Sequence, residues 1–310
     1  MGNRGTAWLA VAALVGLLGA VRLASSVGPA APAGAAGGGG AVQTVYFAAS
    51  DPAGDDRGAG SLVYPTHRAF EPHRGLFDLL AFRVLGDGER IHFDLTFGEI
   101  TNPFSAPEGF YHQRIDIYMA TGGKEGSVEP FQPGPHVRFD PRHPWTVRLR
   151  VAPFGGTRLH TYRDPVDSPG RGRGLETRVL PDGKTIRVSV PVEVLGVPRR
   201  HWRYYVLVGG YDHFGPDEWR DVVPEASPWA FGAGRESAGM PRVVDMLAPG
   251  WGWRSQARQL SRFDEGTGWA ATVYPAGPGF PWGMTAAIAA AAGVLGAGAW
   301  RWARAKARAR

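Results

Sequence analysis

The chain has 310 residues, with 34 Lys and Arg against 28 Asp and Glu, and it has no cysteine. The lack of cysteine excludes disulfides, thiolate metal sites and cysteine nucleophiles. Seven of the basic residues (Arg4, Arg22, Arg301, Arg304, Lys306, Arg308 and Arg310) lie in the two flanks, so the central part is close to neutral and gives no reason to expect nucleic-acid binding.

In chain order, Arg4 precedes an apolar run over 7–21, and Ala24-Ser25-Ser26 follow Arg22. That pattern predicts a signal peptide over 1–26, with an uncleaved N-terminal membrane segment as the alternative. Residues 27–40 are almost entirely Gly, Ala and Pro and predict a flexible linker. From 41 to 276 the dominant signal is alternation. Ile91, Phe93, Leu95 and Phe97 alternate with His92, Asp94 and Thr96, and similar runs surround Ile115–Met119, Trp145–Val151 and Ile186–Val190. Period two predicts half-buried strands. Further strands are predicted at 42–48, 77–85, 158–162, 203–210, 242–247 and 269–274. Asp87-Gly88 and Asp182-Gly183 mark hairpin turns. Val192 to Leu195 suits one short helical turn. Many short strands joined by Gly and Pro predict an all-β, antiparallel β-sandwich of immunoglobulin-like or DOMON-like type.

Beyond the sandwich, residues 280–300 contain no charge, with Trp282 and Trp300 near their ends and a basic tail over 301–310. A transmembrane helix is predicted there. The positive-inside rule puts the tail in the cytoplasm and the domain outside the cell membrane.

Two groups of residues carry chemistry. Asp51, Asp55 and Asp56 crowd a loop with Gly54, Gly58 and Gly60, and Asp78 begins a later strand. Clustered carboxylates repel unless compensated, and a hard cation such as Ca²⁺ takes six to eight oxygen ligands. Asp51, Asp55, Asp56 and Asp78 are therefore candidate calcium ligands, with a polar Asx-turn as the bland alternative. The second group is aromatic. Trp219, Trp229, Trp251 and Trp253, with Tyr211, lie in or beside Gly/Pro-rich loops and are candidates for stacking on sugar rings. Each loop Trp could instead plug an end of the sandwich, whereas Trp145 and Trp202 belong to the core. His67, His73 and His213 suit solvated loop positions. Gly-x-Ser-x-Gly, His-Glu-x-x-His and P-loop patterns are absent, and no carboxylate pair stands out. No enzyme is expected.

Asp51-Pro52-Ala53-Gly54-Asp55-Asp56-Arg57-Gly58 with Tyr64-Pro65-Thr66, then Phe97-Gly98-Glu99-Ile100-Thr101-Asn102-Pro103, Ile115-Asp116-Ile117-Tyr118, Tyr205 to Asp212 and Val244-Asp245-Met246-Leu247-Ala248-Pro249 follow one another along the chain and carry a resemblance. Over about residues 44–274 the chain resembles the C-terminal binding module of glucodextranase, an S-layer-homology-like β-sandwich related to DOMON and family 9 carbohydrate-binding modules. The resemblance implies a non-catalytic module that binds polysaccharide, an α-glucan or a cell-envelope glycan. A structural or assembly module of a surface protein complex is the alternative. In glucodextranase such a module accompanies a glycosidase; no catalytic domain precedes it within these 310 residues. A haem-binding variant, using Met119, Met240 or Met246 with a histidine, is a third possibility for a DOMON-like domain.

Overall fold

The computed structural model describes residues 43–234 and 239–277. The predicted signal peptide, linker, transmembrane helix and basic tail lie outside the described residues. Among the described residues, no helix is long and apolar enough to cross a membrane.

The first half of the domain forms β1 (Thr44–Ser50), β2 (Leu79–Gly86), β3 (Arg90–Phe97), β4 (Gln113–Ala120), β5 (Val137–Phe139), β6 (Val147–Val151) and β7 (Arg158–Thr161). The second half forms β8 (Glu176–Val179), β9 (Thr185–Pro191), α1 (Val192–Leu195), β10 (Arg203–Gly210), β11 (Val222–Val223), β12 (Phe231–Gly232), β13 (Asp245–Met246), α2 (Gln256–Leu260) and β14 (Ala271–Val273). Two five-stranded antiparallel sheets result, in the orders β1-β2-β3-β9-β8 and β13-β10-β4-β6-β7. Asp87-Gly88 turns β2 into β3, and Asp182-Gly183 turns β8 into β9.

The sheets share one apolar core. Phe82, Phe93 and Ile186 from the first face Ile115, Ile117, Leu149 and Val206 from the second, all with almost no exposure. Burying each such side chain contributes roughly 1.5–3 kcal/mol. Trp145 and Trp202 are buried, as the sequence predicts.

The second sheet departs from simple alternation. Every residue of β4 is buried, including Asp116 and Tyr118 on its outer face. A second apolar cluster covers that face: Tyr118, Trp145, Tyr205 and Leu207 pack with Phe139, Trp219, Leu260 and Val273. A strand buried on both faces must find partners for its polar side chains. Asp116 finds two arginines, described below.

The register of β10 fixes the two ends of the sandwich. Tyr204, near its start, bridges Ala276, where the described chain runs out. Gly210, at its end, lies opposite Gln113 at the start of β4. An eight-residue strand spans about 25 Å. The loops at 98–112, 152–157 and 211–230 leave the end far from Ala276.

Candidate calcium site and aromatic loops

The acidic loop follows β1 and is folded against the sandwich. Gly58 N–H donates to the Val244 carbonyl at 2.7 Å, and a Cβ on Gly58 would lie 2.6 Å from Leu62 Cδ1, so glycine is required there. This fold brings Asp51 and Asp55 to Asp245, which lies in β13. One carboxylate oxygen from each of the three lies within 4.8 Å of the others.

The partners of these groups are backbone amides. Asp51 accepts from Ala248 N–H at 2.8 Å, and Asp245 from Leu79 N–H at 2.6 Å and Met246 N–H at 2.7 Å. Asp78 accepts from Gly54 N–H at 2.9 Å. The Gln256 side chain ties α2 to the same place, donating to the Asp55 carbonyl at 2.5 Å and accepting from Met246 N–H at 2.7 Å. Asp51 is only 8 % exposed, yet its Oδ2 has no partner, and neither has Oδ1 of Asp55. Two buried carboxylate oxygens thus remain unsatisfied beside a third carboxylate, an arrangement that costs free energy unless something neutralises it.

Electrostatics agree with the geometry. Burial, then Asp245 and Asp55, push the Asp51 carboxyl well above its ordinary value. Burial and then Asp55 do the same to Asp245. Burial and then Asp78 raise Asp55 to about 6, and burial also raises Asp78. The charged groups acting on all four are other aspartates. Oxygen-only donors without His or Cys suit Ca²⁺ better than Zn²⁺.

The carboxylates that the structure brings together differ from the candidate set read from sequence. Asp56 faces elsewhere: its Oδ2 accepts from the Tyr64 hydroxyl and from Gly75 N–H at 3.1 Å, so it pins the loop instead of joining the three-carboxylate group. Asp78 borders that group without belonging to it. Asp245 joins it. Its place in the Val244 to Pro249 stretch that carries the family resemblance was the available signal, but an Asp amid apolar residues in a short strand does not announce a ligand.

The aromatic candidates separate. Trp219 is fully buried, so it cannot stack on a ligand. It fills a slot made by glycines: a Cβ on Gly209 would lie 2.2 Å from its Cζ3, and one on Gly134 2.3 Å from its Cδ1. Tyr211 is also buried, at 6 % exposure. Trp229, Trp251 and Trp253 are exposed. Trp253 packs 5.2 Å from Tyr274 with the Arg254 guanidinium over its ring. Trp229 stacks on His67 at 4.3 Å, so His67 is a supporting residue and not merely a solvated one.

The sequence profile of the C-terminal binding module, SLH-like, of glucodextranase matches residues 46–275. The chain belongs to this family. No curated protein matches the chain significantly. The aspartate group and the exposed loop aromatics both fall inside the glucodextranase-type binding module. What is matched is a binding module and not a catalytic domain.

Proposed function

We propose that the chain is a non-catalytic glycan-binding module whose fold is closed by a calcium ion, and which the apolar segment 280–300 holds at the outer face of the cell membrane. Membership of the glucodextranase binding-module family carries the glycan reading. Exposed tryptophans on loops support it, because flat rings bury the apolar faces of sugars while polar rims orient the hydroxyls. The unpartnered oxygens of Asp51 and Asp55 beside Asp245 support the calcium. Asp78, which borders the group and raises Asp55, would complete the shell directly or through water. The ion's role is structural: it compensates buried charge and joins the loop after β1 to β13. The charge-free segment 280–300 followed by five basic residues supports the membrane reading.

A screen of the full chain in detergent against α-glucans and cell-envelope glycans, with calcium and then with EDTA, tests this reading. Binding that weakens in EDTA is expected. If no glycan binds with calcium present, the rings serve a protein partner and the chain is an assembly module.

A further inference from the structure

Several of the exposed rings form a row. Trp229 lies 6.4 Å from Phe104, Phe104 lies 4.5 Å from Tyr111, and Tyr111 lies 6.2 Å from Phe154. Phe104, Phe154 and Trp229 are each 40 to 48 % exposed. Buried Tyr211 packs against this row, 5.8 Å from Tyr111 and 6.3 Å from Phe154. The four rings come from three loops that leave the same end of the sandwich, the end far from Ala276.

The loops are clamped so that the rings stay outward. Phe154 has φ 55°, a left-handed backbone that costs a bulky residue free energy and persists only when its surroundings enforce it. Here the Glu108 carboxylate enforces it, accepting from Phe154 N–H at 3.0 Å and Gly155 N–H at 2.6 Å. Ser105, next to Phe104, has φ 55° as well. Its turn is closed by Asn102, whose amide donates to the Ala106 carbonyl at 2.9 Å and accepts from Ala106 N–H at 2.8 Å. Trp229 is held by Arg220, which donates to its carbonyl at 2.5 Å, and by the His67 ring. Left-handed strain therefore falls on or beside two of the residues that display rings.

Charges near the row are used within the protein. Arg220 pairs with Asp212 at 3.2 Å, and Glu108 is occupied by backbone amides. Neither Arg220 nor Glu108 is left free for an ionic ligand. The ring planes turn by 41°, 56° and 72° along the row, so the rings offer a mixture of faces and edges in short steps, which suits a neutral sugar chain whose C–H faces are apolar and whose edges are polar.

We infer that Trp229, Phe104, Tyr111 and Phe154 form a platform for consecutive residues of a neutral glycan, and that Trp251 and Trp253 are not part of it. This rests on the glycan reading above and adds the place and the charge class of the ligand. The test is affinity electrophoresis of the full chain in detergent, with calcium, in gels containing dextran, pullulan or the anionic polymer alginate. The wild type should be retarded by a neutral glucan and not by alginate. Phe104→Ala and Phe154→Ala should each weaken binding about fivefold, with melting temperatures within a few degrees of wild type, because both rings are half exposed. Trp229→Phe should bind more tightly than Trp229→Ala. The double variant Trp251→Ala/Trp253→Ala should bind as the wild type does. If the wild type is retarded and Phe104→Ala and Phe154→Ala are retarded equally, the platform lies elsewhere and the glycan reading stands. Retardation by alginate alone would refute the neutral class. If no polymer retards the wild type, the platform and the glycan reading fall together.

Discussion

Asp51 and Asp245 are buried acids whose nearest charged neighbours are other acids. Without a cation, their protonated forms are favoured in the folded chain. The sign of the pH dependence follows. Carboxyls raised above the ordinary value of about 3.9 contribute stability that is fully present below that pH and is lost as pH rises through the folded values. Asp55, raised to about 6, places the upper part of this window near pH 6, and Asp51 and Asp245, both raised well above the ordinary value, act in the same direction. In EDTA, melting temperature should therefore fall as pH rises from about 4 to above 6. On the calcium proposal the ion takes the ionised carboxylates, so its stabilising effect should be small near pH 4.5 and grow above pH 6. At a hundredfold excess over Kd the gain is about 2.7 kcal/mol, or about 5–10 °C for a domain of this size. Scanning calorimetry across pH, with and without calcium, checks both slopes. A calcium shift that is constant across this range would contradict them. Asp51 and Asp55 were legible because they crowd one loop. Asp56 stands apart from the carboxylate group because neighbouring side chains in a loop point in different directions, and Asp245 was not legible as a member because only the closed fold brings β13 to that loop.

Among the elements, strands with period-two alternation were the most legible. The predicted strand at 203–210 is β10, and those containing Ile91, Ile115 and Ile186 lie where expected. β5 and β8 were missed for identifiable reasons. Val137–Phe139 is a three-residue strand between prolines, and Glu176–Val179 has a single strongly apolar residue on a sheet edge. Burial of β4 on both faces was also not legible, since its cover comes from the 211–220 loop, β5, β14 and α2. That loop is locked by charge. Arg114 and Arg148 are completely buried and share Asp116 and Asp217: Arg114 lies 2.9 Å from Asp116 and 3.1 Å from Asp217, and Arg148 lies 2.9 Å from Asp116 and also pairs with Asp217. Asp217 reaches them from a left-handed backbone, φ 50°. Asp217→Ala leaves two buried guanidinium groups short of an acceptor and should cost about 3–5 kcal/mol, read as a lower midpoint in urea. A loss below about 1 kcal/mol would mean that water replaces the carboxylate.

For the whole molecule, β10 sets a direction. The described chain runs out beside Arg203, at the start of that strand, while the aromatic row lies beyond its far end. If 280–300 spans the membrane, the module is tethered by one end and presents the row at the other. Protease added to intact cells should then remove the module and spare the basic tail; digestion of the tail with the module protected would reverse the orientation. Composition gives an expected order of segments along the chain, whereas the place of the rings relative to Ala276 depends on strand register. The buried carboxylates bring the loop after the first strand against the second-last strand, and the proposal that a cation closes the domain there is the central claim. The most direct measurement is titration calorimetry of Ca²⁺ into the chelator-stripped full chain at pH 7.5. A single saturable site is expected, lost in the double variant Asp51→Asn/Asp245→Asn and retained in Asp56→Asn. Absence of binding heat in the wild type, together with a melting temperature that calcium leaves unchanged, would contradict the account.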